Sequence, residues 1–239
     1  MPDFPSTPRV ARRLEAATYD SSAVTAPAIA LGTKYANPGT LPTNNGQAIA
    51  VHPWANYLAV GQSASAPFFY AYQWDDRAAG GFGSRIAPAS PGGQVYSLAW
   101  HPSGRFLAVG HATSPFLRVY PFNPRTGSFS AALANPSTIP TSACRGVAWS
   151  PDGSTLFAVN NSAPYVHAWA FDASGGGAWG AKAADAPTPS QFDARALAVH
   201  PNGAFLAVGF GTSPGVGLIG WTGSGFASAW FASGNLEGL

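Results

Sequence analysis

The chain has 239 residues, 46% hydrophobic and only 9% charged, with 28 glycines and 22 prolines. Such a composition signals many turns over a weakly charged surface. A formal net charge of +2, two lysines at 34 and 182 and scattered arginines leave no basic stripe for nucleic acid. The single Cys144 excludes an intramolecular disulfide framework, and no run reaches the roughly 18 apolar residues of a membrane span.

In chain order, residues 1–27 ("MPDFPSTPRVARRLEAATYDSSAVTAP") form an irregular segment in which prolines and charges stand where a secretory signal needs a continuous apolar core. Only "VARRLEAATY" hints at a helical period there. "AIALGTKY" (28–35) reads as a strand. From Ile49 the chain writes nearly the same hairpin four times: "IAVHPWANYLAV", "LAWHPSGRFLAV" from Leu98, "VAWSPDGSTLFAV" from Val147 and "LAVHPNGAFLAV" from Leu197. Each is an apolar run, a Pro-containing turn and a second apolar run, the pattern of two tightly joined antiparallel strands.

The turn prolines Pro53, Pro102, Pro151 and Pro201 are spaced by 49, 49 and 50 residues, a period that marks a propeller or solenoid. Within the second period "YSLAWH" (96–101), "RFLAVGHA" (105–112), "FLRVYPFN" (116–123) and "SFSAAL" (128–133) are four short β-rich stretches, which is one propeller blade. Connections repeat as well: "SAP" or "TSP" stands between second and third strands in all four periods. "ANPGTLPT" (36–43) and "ANPSTIPT" (134–141) lie two periods apart. The expected fold is all-β: a β-propeller of about five four-stranded blades, with four regular repeats of 49–50 residues in 28–239. Residues 1–27 are an irregular segment or part of a degenerate N-terminal blade.

The stretch "VAWSPDGSTLFAVNNSAPYVHAWAFD" (147–172) resembles a WD-type repeat, whose third strand ends in an aromatic residue followed by Asp, as in Trp74-Asp75 and Phe171-Asp172. Phe122-Asn123 and Trp221-Thr222 depart from that ending, and the Gly-His pair and turn Asp of the WD tetrad are replaced by the "SAP" and "TSP" loops. The strings "SPDGSTLFAV" and "NPGTLPT" are similar to those of WD-like propeller proteins found in tailed bacteriophages and bacteria. "HPSGRFLAV" is similar to lactonase-type propellers, which have more blades than this chain supplies. The resemblance implies a non-enzymatic binding or assembly module, a structural, capsid- or tail-associated protein of a virion. It leaves open a carbohydrate-binding lectin-like propeller, a lactonase-like enzyme and a bacterial cytoplasmic location. The partners it implies are other subunits of an assembly and a host surface glycan.

His52, His101 and His200 recur before the turn proline, with Ser150 in the fourth place. No Asp or Glu repeats beside them to complete a ligand set, so turn capping and packing is the expected role and no metal or cofactor is assigned. Asp152, Ser103 and Asn202 are aligned turn residues, explained by the turn itself. With neither paired carboxylates nor a nucleophile beside a base, no catalytic residue is assigned. The proline-stiffened loops between second and third strands are expected to share one face with the inter-blade connections and to form a recognition surface. Gln62, His111, Asn161 and Phe210 precede these loops at matched positions; Ser65, Ser114, Ser162 and Ser213 lie in them. The pairs Tyr72/Trp74, Tyr120/Phe122 and Trp169/Phe171 alternate along third strands and are expected to pack between blades, with sugar stacking as the other reading.

Overall fold

A computed structural model describes residues 37–75, 81–187, 193–213 and 215–232. The described residues contain no helix, hence none long and apolar enough to cross a membrane. They fold as four antiparallel sheets of four strands. Blade 1 has β1 (Gly46–Val51), β2 (Tyr57–Gln62), β3 (Phe69–Asp75) and β4 (Gly81–Ile86). Blade 2 has β5 (Val95–Trp100), β6 (Phe106–His111), β7 (Leu117–Asn123) and β8 (Ser128–Phe129). Blade 3 has β9 (Cys144–Trp149), β10 (Thr155–Asn160), β11 (Val166–Asp172) and β12 (Ala178–Lys182), and blade 4 has β13 (Ala194–Val199), β14 (Phe205–Phe210), β15 (Val216–Trp221) and β16 (Phe226–Ala232).

Strand order within each sheet is sequential, and the first strands meet across blades, β5 against β1 and β9, and β9 against β13. "YSLAWH"-type strands are therefore innermost and "SFSAAL"-type strands outermost, as a propeller of about four to five blades requires. The degenerate first blade and its expected strand at 28–35 lie outside the described residues. The outer strand of blade 2 is shorter than the predicted 128–133. Ser130 donates its N–H to Pro121 O (2.9 Å), but Pro121 has no N–H to return, so the regular ladder stops at Phe129.

The turn between first and second strands explains the recurring Pro-x-Gly. Gly104, Gly153 and Gly203 have φ of +68°, +75° and +74°, and each donates its N–H to the carbonyl of the residue before the proline, at 2.7, 2.9 and 2.8 Å. A residue with a Cβ pays a steric cost in that left-handed region. Blade 1 carries Ala55 there and turns differently, Tyr57 N–H donating to Ala55 O (2.7 Å).

The core lies between blades. Tyr57 and Ala59 of blade 1 meet Leu98, Trp100, Leu107 and Val109 of blade 2; Phe106 and Ala108 of blade 2 meet Val147, Trp149, Leu156 and Phe171 of blade 3. Phe157 and Ala168 of blade 3 meet Leu206 of blade 4. One face of each second strand thus looks forward and the other backward. Consequently β6 and β10, between two neighbours, are buried at every residue, whereas β14 alternates.

Candidate functional site

Two of the three histidines before the turn prolines, His52 of blade 1 and His101 of blade 2, are structural bolts. His52 Nδ1 accepts the N–H groups of Trp54 (3.1 Å) and Ala55 (2.9 Å), which leaves the proton on Nε2, and Nε2 donates to Gly104 O of the next blade (2.8 Å). His101 repeats this: Nδ1 accepts from Ser103 N (3.0 Å) and Nε2 donates to Gly153 O (3.0 Å). Both rings are buried edge-on against the next blade's tryptophan, His52 on Trp100 at 4.8 Å and His101 on Trp149 at 4.7 Å. Burial lowers both pKa values, and a proton on Nδ1 would also oppose the backbone donors already there. The capping and packing expected of them is what they do. His200 keeps its cap, with Asn202 N–H donating to Nδ1 (3.2 Å), but is exposed. Ser150 caps in the histidine's place: Oγ accepts from Thr155 N (2.9 Å) and donates to Asp152 Oδ1 (2.5 Å). Asp152 also accepts from Ser154 N (3.0 Å), so the turn accounts for it as expected. Among the described residues no group of three or more His, Cys, Asp or Glu could hold a metal ion.

A second inter-blade bond went unread in the sequence: Trp100 Nε1 donates to Ala50 O (3.2 Å) and Trp149 Nε1 to Ala99 O (3.0 Å), each reaching back one blade.

The loop face is real but divided. Ser65, Ser114, Asn161, Ser162 and Ser213 are exposed, whereas Gln62, His111 and Phe210 are buried, with relative exposures of 0%, 0% and 8%. The residue that the strand register aligns with Gln62 and His111 is Asn160, also 0% exposed, and not Asn161. Two of these buried positions, Gln62 and Asn160, are struts. Gln62 Oε1 accepts from Thr43 N (3.2 Å) while Nε2 donates to Ser65 O (2.8 Å). Asn160, with its amide oriented to satisfy its neighbours, accepts from Thr141 N (3.2 Å) and donates to Ser162 O (2.7 Å) and Pro164 O (3.0 Å). Thr43 and Thr141 are the last residues of the two "ANPxTxPT" segments, so that motif recurs because it clamps the neighbouring loop. The same segments also hold the third strand: Tyr72 Oη donates to Thr40 O and Trp169 Nε1 to Thr138 O, both at 2.9 Å. The Ala66-Pro67, Ser114-Pro115 and Ala163-Pro164 peptides in the loops are cis.

In blade 2 the matching position is His111, whose Nδ1 meets Thr113 Oγ1 (3.4 Å) and whose pKa is lowered to about 4 by burial and by Arg118. His167 of β11 is likewise held at about 4, by burial first and then by Lys182. Tyr120, Phe122, Trp169 and Phe171 are buried in clusters shared by neighbouring blades, which matches packing between blades; Tyr72 is buried against Phe82 of its own blade and Trp74 is half-buried.

Comparison with known proteins follows from this geometry. Residues 87–120 match the family model described as WD domain, G-beta repeat, and repeats of that kind generally mediate protein–protein interaction. No curated protein matches the chain. Among solved structures the chain is similar to a candidate 6-phosphogluconolactonase from Bacteroides uniformis ATCC 8492 (TM-score 0.60, 15% identity, 75% of this chain and 54% of that one). It is also similar to the hydrazine synthase of Kuenenia stuttgartiensis (TM-score 0.54, 17% identity, 76% and 47%). A third likeness is to U3-55K (TM-score 0.54, 12% identity, 81% and 53%). At these identities the likeness is one of fold, and the chain spans about half the length of the structures it matches. Four sequential four-stranded blades, one of them matching the WD repeat, make this chain a WD-like β-propeller repeat protein.

Proposed function

We propose that the protein is a non-enzymatic binding and assembly module that engages other protein subunits through its loop face, and that its setting is the virion of a bacteriophage as a structural, capsid- or tail-associated protein. The observation that carries the binding reading is the layering of that face. Exposed Ser65, Ser114, Ser162 and Ser213 stand two or three residues beyond the buried positions 62, 111, 160 and 210. Tips held from beneath in this way lose little conformational entropy when a partner covers them. His52, His101 and turn Asp152, which catalysis would call on, are engaged in caps and inter-blade bonds. The phage setting is supported by the resemblance of the "SPDGSTLFAV" and "NPGTLPT" strings.

The test has two parts. Quantitative mass spectrometry of purified phage particles is expected to find the chain at a fixed ratio to the capsid protein; its absence from particles refutes the virion setting. Ser114→Arg with Ser162→Arg is expected to abolish co-assembly while leaving the thermal transition unchanged. Unimpaired co-assembly of that variant, or turnover of a sugar lactone by the native protein, refutes the module reading.

A further inference from the structure

Among the described residues, the two ends of the row of blades are unfinished inter-blade joints. The backward faces show this by direct comparison. Leu98 and Trp100 of blade 2 are covered by blade 1 and are each 8% exposed; their equivalents on blade 1, Ile49 and Val51, are 68% and 74% exposed. Leu107 and Val109 are fully buried, whereas their equivalents Leu58 and Val60 are half-exposed. On blade 2, Trp100 with Phe122 and Phe129 forms the seat that receives His52 and Tyr57, Phe122 lying 4.8 Å from Phe129. On blade 1 the same seat is open, a cavity of about 530 Å³ lined by Val51, Leu58, Trp74 and Phe82. At the other end, Phe205, Ala207 and Gly209 of β14 repeat the forward face that Phe106, Ala108 and Gly110 present in blade 2, but are half-exposed. Among the described residues no next blade meets His200 Nε2. No contact comparable to those between neighbouring first strands joins β13 to β1.

We propose that these two ends dock on each other between two copies of the chain, blade 4 of one protomer against blade 1 of the other, so that two chains complete one ring of eight described blades. The surfaces continue a joint the protein already makes three times, and a second copy supplies both halves at once. A heterologous contact used twice closes on itself when the rotation permits, and eight blades lie within the range of known propellers.

One residue sets the character of the joint. A methyl group on Gly104 or Gly153 would fall well inside contact distance of the His52 or His101 ring, and blade 1 carries Ala55 at that position. The joint between copies therefore seats the apolar faces without the His–carbonyl bond, as the blade 3 to blade 4 joint does with Ser150. It is weaker than the joints within the chain and reversible.

Sedimentation velocity of the full chain from about 1 to 100 µM is expected to show a monomer–dimer equilibrium in the micromolar range. Val51→Lys and Ala207→Asp, at exposed or half-exposed sites, are each expected to weaken it by about tenfold or more with the thermal transition retained, and Ala55→Gly to tighten it. A Val51→Cys variant is expected to react with maleimide rapidly when dilute and slowly when concentrated. A wild-type protein monomeric at about 100 µM overturns the proposal. In that event a slow thiol at every concentration assigns the face to another segment of the same chain, and a fast one leaves it to a different protein. A dimer indifferent to both charge substitutions overturns it as well.

Discussion

Replacing His101 by alanine tests the inter-blade bolt. The substitution removes the Nε2–H bond to Gly153 O (3.0 Å) and the Nδ1 acceptor of Ser103 N–H (3.0 Å). Each is a buried or half-buried bond with a net contribution of about 1 kcal/mol. It also leaves a ring-sized space beside Trp149, Phe106 and Phe171, whose ring centroids lie 4.7, 5.8 and 5.8 Å from the imidazole. Partial collapse of such a space costs a further 1–2 kcal/mol or so, for a total of about 3–4 kcal/mol. Blade 3 supplies the complementary experiment. Installing its cap in blade 2, as His101→Ser with Ser103→Asp, restores the turn bonds that Ser150 and Asp152 make but not the bond to the next blade. The double variant is therefore expected to lie about 1 kcal/mol above His101→Ala and to remain clearly below the native protein. Urea denaturation followed by tryptophan fluorescence gives the three stabilities at constant m. A loss under about 1 kcal/mol for His101→Ala, or a double variant less stable than the alanine one, refutes the account of the histidine as cap and bolt combined.

Three further outcomes follow. His111 and His167 are neutral in the fold with pKa values near 4, below the 6.5 of an unfolded histidine, so the unfolded chain binds more protons between those limits. Their contribution to stability is complete above about pH 6.5 and is lost as pH falls towards 4, up to about 3 kcal/mol for each. Denaturation midpoints measured from pH 7.5 to 4.5 should fall accordingly, and a flat profile contradicts it. Gly153→Ala forces a side chain onto a φ of +75° and into the His101 ring, and is expected to cost more than about 2 kcal/mol by thermal denaturation. Cys144 is fully buried with its thiol pushed up to about 12 by desolvation, so an aromatic disulfide reagent should titrate no thiol in the native protein and one after unfolding.

Much of the fold was legible because hairpin chemistry is local. The Pro-x-Gly turns, the alternation of the flanking runs and the near-constant spacing of the turn prolines located the first two strands of all four described blades, and all four strands of blade 2, to within a few residues. The histidine's cap was legible too, since it is closed within three residues. Its second bond was not, because Gly104 and Gly153 lie 52 residues further on and only blade stacking brings them near. The loop face shows how little it takes to misplace a residue. Asn161 stands three residues before its loop proline, Pro164, whereas His111 stands four before Pro115; the true equivalent is Asn160, as the register also gives, and a strand turns over at every residue. One step along β10 separates an exposed side chain from a fully buried strut. Likewise, nothing in "IAVHP" distinguishes it from "LAWHP" as a face left uncovered; exposure there reflects that no described blade lies against it.

Because every joint among the described blades is made by immediate neighbours, with Trp149 reaching back only to Ala99 and His52 forward only to Gly104, each period is an interchangeable part. A gene duplication or deletion of 49 residues in register would add or remove one joint and leave the rest chemically intact. Blade number in this lineage is therefore free to drift by whole units, and the residues that resist such drift are those of the two terminal faces, where a new neighbour must be fitted each time.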